Sequence, residues 1–340
     1  MPTFSIIIVS WNALHHLQDY LPTVAATNYP DYEIILADNA STDGSKKWVR
    51  KHYPDIKIAE LSQNYGYCGG NNRAVPDAEG DILIFLNNDV RVTPDWLHAL
   101  AECFEDDDVG AVQPKFLSDE RPEHFEYAGA AGGFLDQYGY PFCRGRIFDT
   151  VEKDHGQYDN ARDIFWASGA ALAIRKELFT KLQGFDEDFE FHMEEIDLCW
   201  RIWNNGRRVR YCPQSIIYHL GGGSLPMGSP RKVYYNYRNN LKMFWKNCSD
   251  QTLSKRFWSR CGLDAVAAGR SLLTGNWNEC RAIARAHLHF WQSFRQTRKK
   301  RDRLQQQRTI PDDPDALLPV SIIRAYFLEG KRYFRQLNER

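Results

Sequence analysis

The 340-residue chain is notable first for what it does not contain. It has no apolar run of about 18 residues, so no helix is expected to cross a bilayer. Its eight cysteines stand at 68, 103, 143, 199, 212, 248, 261 and 280, and none belongs to a C-x-x-C pair, which argues against a zinc ribbon. Several lie in apolar stretches, as buried free thiols do, and a reducing cytosol is the expected setting. No leader is expected before the strand-like run that begins at Phe4. No glycine-rich loop ends in Gly-Lys-Ser/Thr, and the glycines of 64–72 lack the dinucleotide-binding spacing, so two common nucleotide sites are excluded. No nucleic-acid-binding motif appears, and nucleic acid is not an expected partner.

What is present is the composition of a globular protein, 43% hydrophobic and 14% aromatic. The net charge of −1 conceals a division. Residues 1–230 hold 20 Lys+Arg against 35 Asp+Glu, and residues 231–340 hold 23 against 9. A Gly/Ser/Pro stretch at 221–229 marks the change of sign, reads as a mobile loop, and sets the expected boundary between regions 1–230 and 231–340.

The first region alternates strand and helix patterns. FSIIIVS (4–10), EIILAD (33–38), IKIAEL (56–61) and DILIFLNND (81–89) read as buried strands, with helical stretches at 14–26, 45–52, 69–78 and 94–105. VGAVQP (109–114) follows, residues 117–163 read as loops or a hairpin over the site, and 165–179 as a strand then a helix. Repeated β-α-β units predict an α/β fold, a mostly parallel sheet flanked by helices, with ligands at the carboxyl ends of the strands. Three strands end there in polar clusters: Ser10-Trp11-Asn12, Asp38-Asn39-Ala40-Ser41 and Asn87-Asn88-Asp89. Beyond 230 the pattern is mainly helical. Residues 298–308 read as an exposed helix or linker.

Each cluster has a chemical and a bland reading. Asp89 at a strand end can reach a divalent cation bridging a diphosphate, since Mg²⁺ and Mn²⁺ take oxygen ligands; the same tripeptide suits a turn. Asp38 can accept from a base or ribose hydroxyl; Asp38–Ser45 also suits a turn and helix cap. The Asn64–Asn72 segment, with Gly66 and Asn71, can offer backbone N–H groups to an anion. Glu194-Glu195-Ile196-Asp197 opens a helix, where acids are stabilised by the dipole and Asp197 can pair with Arg201. A carboxylate kept ionised there also suits a general base for a hydroxyl. His219, at the end of a late strand, is a structural histidine or a metal ligand.

In order, SIIIVSWN (5–12), ADNASTDGS (37–45), NYGYCGGNN (64–72), FLNNDV (85–90), SGAALAIRKELF (168–179), GFDEDF (184–189) and EEIDLCWR (194–201) resemble glycosyltransferase family 2, with its GT-A fold. The subgroup resembled is the rhamnosyltransferase-like enzymes of bacterial surface polysaccharide, and the likeness spans about residues 4–245. It implies a metal-dependent, inverting transfer from a nucleotide-diphosphate sugar, with uracil, thymine or guanine open as the base, to a glycan or lipid-linked saccharide. By this resemblance Asp38 reads the base, and Ser10, Asn12, Asn39, Asn64, Gly66, Asn71 and Asn88 line the donor site. Asp89 and His219 hold Mg²⁺ or Mn²⁺, and the 221–229 loop closes over the donor. The family's Glu-Asp pair falls on Glu194-Glu195, so the base role lands on Glu195. A Glu stands there where Asp is commoner, which leaves Glu194 and Asp197 as alternatives and a non-catalytic binding protein as the rival function. Asn87 replaces the first Asp of the D-x-D-type motif. A nucleotidyltransferase is disfavoured, because Ser10-Trp11-Asn12-Ala13 stands where a basic glycine loop would be expected. The basic tail, with Trp245, Trp258, Trp277 and Trp291, suits either a solvated helical face or peripheral attachment to the anionic inner face of a membrane.

Overall fold

The computed structural model describes residues 1–221 and 228–337, so most of the glycine loop at 221–229 lies outside the described residues. The chain opens with β1 (Phe4–Ser10), α1 (Leu14–Ala25), β2 (Tyr32–Asp38), α2 (Ser45–His52), β3 (Lys57–Glu60), α3 (Gly66–Ala74), β4 (Ile82–Asn87), β5 (Val90–Val92) and α4 (Trp96–Cys103). β6 (Val109–Ser118) leads to four short strands, β7 (Gly133–Asp136), β8 (Pro141–Cys143), β9 (Arg146–Ile147) and β10 (Thr150–Val151). Then come β11 (Arg162–Asp163), β12 (Ala171–Arg175), α5 (Lys176–Lys181), α6 (Glu194–Asn204) and β13 (Arg208–His219). The remainder is α7 (Pro230–Asn247), α8 (Asp250–Leu273), α9 (Trp277–Gln292), α10 (Phe294–Gln306), β14 (Leu317–Leu318) and α11 (Ile322–Phe327).

The main sheet runs β11-β13-β6-β12-β4-β1-β2-β3, with β5 paired to β13. Neighbours β3-β2-β1-β4 are parallel, as the uninterrupted Ile/Val/Leu strands predict, since such strands bury both faces. The sheet is nevertheless mixed, because β12 runs antiparallel to both β4 and β6. That reversal brings the amino end of β12 to the edge where the other strands end. Two apolar layers enclose the sheet, one centred on Ile7, Phe85 and Phe185 and the other on Ile6, Ile84 and Trp96.

Residues 117–163 are more ordered than their composition predicts. They form a second sheet, β10-β9-β8-β7-β14, whose last strand comes from the C-terminal region. The charge change near 230 is therefore not a break in packing. Leu241, Met243 and Phe244 of α7 are buried in the same core as Trp200 of α6. The segment at 298–308 is a docked helix rather than a linker: Arg301 is buried and donates to the Trp245 and Cys248 carbonyls at 2.6 and 2.7 Å. All eight cysteines are free thiols, five of them buried. No helix of the described residues is long and apolar enough to cross a membrane.

One buried ionic cluster joins the two regions. Asp197, fully buried on α6, accepts from Arg201 Nε at 3.0 Å and from Asn247 Nδ2 at 2.7 Å, and Lys246 Nζ lies 3.0 Å away. Lys246 also pairs with Asp186, which Lys300 of α10 reaches in turn. Removing one member of a buried ionic cluster strands the others. Asp197→Ala is expected to cost about 3–5 kcal/mol, seen as a lower urea midpoint at unchanged slope. A loss below about 1 kcal/mol would show that the C-terminal helices hold without it.

Candidate active site

Register sets the site. Ser10 pairs with Asp38 and Val9 with Asn87, so β1, β2 and β4 end level. Antiparallel β12 places Ser168-Gly169-Ala170 at that same edge, and the Asn87 N–H donates to the Ala170 carbonyl at 2.9 Å. β13 runs parallel to β6 and delivers His219 there, opposite Val90.

The first two strand ends form one polar pocket wall. Asn12 and Ala40 take left-handed backbone conformations, with φ of 49° and 61°. Asn12 Oδ1 accepts from the Thr42 N–H at 2.8 Å, and its own N–H donates to Ser41 Oγ at 3.0 Å. Asp38 is fully buried. Its Oδ2 accepts from the Ser41 N–H at 3.1 Å, while Oδ1 is buried with no partner among the described residues. A buried acceptor without a donor is costly, and it marks a place where a ligand N–H or O–H belongs. Ser10 Oγ lies 3.3 Å from Asn88 Nδ2, its hydrogen-bond donor.

Three predicted binding residues instead build the wall. Asn39 Nδ2 donates to the Gly66 carbonyl and its Oδ1 accepts from the Tyr65 N–H, at 3.1 and 3.2 Å. Asn64 Oδ1 accepts from the Gly66 N–H at 2.8 Å. Asn71 Nδ2 is spent on the Tyr67 carbonyl, although its buried Oδ1 stays unpartnered.

The third strand end meets the histidine. His219 Nε2 is 3.3 Å from Asp89 Oδ1, and its Nδ1 is 3.5 Å from Glu126 Oε1, all three side chains being buried. Burial alone would lower the His219 pKa, but Glu126 and Asp89 overrule it and raise it to about 10. Burial likewise pushes Asp89 upward, and the His219 hydrogen bond and charge hold it below the usual carboxylate range. No three His, Cys, Asp or Glu side chains converge as a metal cage among the described residues. A Mg²⁺ or Mn²⁺ ion that also takes substrate phosphates needs only one or two protein ligands. A carboxylate against the far nitrogen is the usual way to orient a ligating histidine. The donor set of Asp89 and His219, with Glu126 behind, therefore fits such an ion once His219 gives up its proton to the incoming cation, because only a neutral imidazole ligates.

The acidic pair stands at the start of α6. His192 and Met193 lead into it at φ of 65° and 75°, two successive non-glycine residues in the left-handed region. Each such residue costs on the order of 1–3 kcal/mol and persists only where its surroundings impose it. Here Asn239 of α7 donates to the Phe191 and His192 carbonyls at 2.7 and 3.0 Å. Glu194 and Glu195 each keep one buried oxygen without a partner. The helix terminus was expected to keep them ionised, but burial wins. It drives Glu194 well above the carboxylate range, the Glu195 charge adding to it, and raises Glu195 to about 7 against the pull of backbone N–H groups. A Cβ on Gly169 would lie 3.7 Å from Glu195 Cβ and 3.0 Å from Tyr67 Oη, so the pair adjoins the sheet edge. Asp197 is corrected from candidate base to structural anchor: it has no exposure and both its oxygens are engaged.

Four contributors escaped the sequence reading. Glu126 lies in the segment read as loop, Tyr67 donates to the Gly169 carbonyl at 2.6 Å, and Lys232 of α7 is partly buried, which lowers its pKa against the pull of the Glu126 charge. Gly169 itself, inside a quoted motif, had no role assigned. Only the SGA triplet offered a signal, a small residue where chains approach closely.

The raised pair makes stability depend on pH. The native state holds a Glu195 proton up to about pH 7, whereas the unfolded chain releases it near 4.5. This contribution is full below pH 4.5 and is lost as pH rises through 7. Glu195→Gln is expected to melt a few degrees above wild type at pH 8, with the gap closing at pH 5; an equal gap at both would contradict the assignment.

Residues 5–163 match the family described as Glycosyl transferase family 2. An O-antigen biosynthesis protein of Myxococcus xanthus is 31% identical over 58% of this chain, although the match spans 15% of that protein. An N-acetylglucosaminyl-diphospho-decaprenol L-rhamnosyltransferase of Mycobacterium tuberculosis is 26% identical over 63% of this chain and 75% of its own length. A mannosyltransferase of Pyrobaculum calidifontis, solved with GDP-Man and Mn²⁺, shares the fold, with a TM-score of 0.54 at 17% identity over 90% of this chain and 86% of its own. The ordered motifs, the sheet and these likenesses agree that residues 5–163 carry the pattern of glycosyltransferase family 2, and rhamnosyltransferases stand among the chain's relatives.

Proposed function

We propose that the chain moves a sugar from a nucleotide-diphosphate donor to a hydroxyl of a surface-polysaccharide intermediate, with inversion. The observation that carries this reading is Glu195, poised to titrate near neutrality on the sheet edge that also holds Asp89, His219 and the unpartnered Asp38 oxygen. A general base works best with a pKa near the working pH.

In this reading Asp38 Oδ1 accepts an N–H of the base, and Ser10, Asn12 and Asn88 line the ribose and diphosphate. Asp89 and His219 hold Mg²⁺ or Mn²⁺, which when bound neutralises charge on the departing diphosphate. Lys232 adds positive charge nearby. Glu195 takes the acceptor proton as the acceptor oxygen bonds to the anomeric carbon and the bond to the diphosphate breaks. Glu194, protonated, limits the pair to one charge. One displacement inverts the anomeric centre. The relatives' names favour rhamnose as the sugar and, in one, a diphospho-decaprenol-linked acceptor; our reading takes dTDP-rhamnose as the donor and a glycan or lipid-linked saccharide at the cytoplasmic side of a membrane as the acceptor.

The test is thermal stabilisation by UDP, dTDP and GDP with Mn²⁺, Mg²⁺ or EDTA. One nucleotide should raise the midpoint only with metal, and Asp89→Ala should abolish the shift. With the matching donor, Glu195→Gln should lower kcat by about 10²–10⁴ with little change in donor KM. No shift with any nucleotide would remove the reading and leave a non-catalytic scaffold.

A further inference from the structure

Among the described residues, ten of the twelve exposed large hydrophobic side chains lie beyond residue 257, and seven belong to the α8–α9 hairpin. On α8 they are Trp258, Val266, Leu272 and Leu273, the last 92% exposed. Their spacing puts them on one helical stripe together with Gly262 and Gly269, where an added Cβ would meet nothing within 4 Å. On α9, Trp277, Leu288 and Trp291 alternate with exposed Arg281 and Arg285, and exposed Arg295 follows at the start of α10. Trp258 and Trp291 stack across the hairpin, 6.1 Å apart and 23° from parallel. Beneath them Phe257 and Phe290 are fully buried, so the tryptophan pair is a rigid outer feature rather than a fraying edge.

The charge of this face has one sign. Between residues 251 and 301 the only acids are Asp264 and Glu279. Asp264 is fully buried against Arg260 and His287, and Glu279 bonds back to its own helix cap at Asn276. Eleven Lys and Arg occupy the same span.

We propose that the α8–α9 hairpin docks the protein on an anionic lipid bilayer, its tryptophans at the headgroup level and its arginines on lipid phosphates. Indole rings favour that interface, and basic residues near an anionic leaflet add attraction. The acidic body would be repelled from the same surface, which orients the molecule. A second copy is a poorer occupant, because two such faces carry like charge. Trp245, grouped with these tryptophans by sequence, does not belong to the face: it packs on Phe257 and Phe294. α7 links the hairpin to the loop that leads into Glu194 and Glu195: Tyr234 Oη meets His289 Nδ1 of α9 at 2.6 Å, and Asn239 donates to the Phe191 carbonyl of that loop. Docking stands independently of the sugar-transfer reading.

The test is flotation of the full chain with phosphatidylcholine vesicles containing phosphatidylglycerol, against pure phosphatidylcholine. Binding is expected only to the anionic vesicles, weakened by salt, and reduced about tenfold or more by Arg281→Glu with Arg285→Glu. Wild-type tryptophan fluorescence, quenched by lipids brominated high on the acyl chain, gives a readout that needs no variant. Trp258→Ser with Trp291→Ser should remove most of the quenching while melting as a folded protein. Absence of binding, binding without quenching, or a dimer that these substitutions dissolve would each overturn the proposal.

Discussion

The arrangement of the molecule rests on Asp197, a carboxylate fully buried among Arg201, Lys246 and Asn247. A buried charge is tolerable only with close partners, and these come from α6 and α7, while Asp186 and Lys300 extend the cluster to the preceding loop and α10. Arg201 also donates to the Leu182 and Gly184 carbonyls, fixing the start of that loop. The acidic N-terminal region and the basic C-terminal region are thus bound by complementary charge at depth, where screening by salt is weak.

That anchor explains how two strained residues survive before α6. His192 and Met193 are held left-handed because Asn239, on the anchored α7, clamps the carbonyls of 191 and 192. The result is a pair of adjacent carboxyl groups in a poorly solvated place. Two effects compete there. The helix N-terminus favours the anions, and burial with mutual repulsion disfavours them. The raised values of Glu194 and Glu195 show that burial wins. At the other end of the edge the balance is reversed, because His219 brings a positive charge that outweighs the burial of Asp89. Without a cation, one sheet edge thereby holds two carboxyl groups raised above the usual range and, apart from them, a carboxylate held below it by the neighbouring His219.

The uneven charge has a structural counterpart. The second sheet takes its edge strand β14 from the C-terminal region and α7 packs into the shared core, while α8 and α9 turn aromatic and basic residues outward. The basic residues that look alike in sequence divide sharply in space. Lys246, Lys300 and Arg301 are spent on internal carboxylates and carbonyls, whereas Arg281, Arg285 and Arg295 face solvent.

The β-branched runs of β1, β2 and β4 were legible as buried strands, because a segment apolar on both faces has few alternatives. That their polar ends gather at one edge was legible too, because parallel strands must end together. Ser10, Asp38, Asp89, Glu195 and His219 follow from that reading together with the family resemblance. Tertiary structure alone decided the rest. Asp197 and Glu195 sit two residues apart on one helix and so lie about 200° apart around it, one turned inward to Lys246 and the other toward Gly169. Glu126 joins His219 from a segment without periodicity, and Trp245 and Trp258 part company because α7 turns Trp245 onto Phe257 and Phe294 while α8 turns Trp258 to solvent. Composition and local pattern set which elements form. Which of two like side chains becomes anchor, ligand or surface depends on long-range packing, and sequence neighbours do not carry that information.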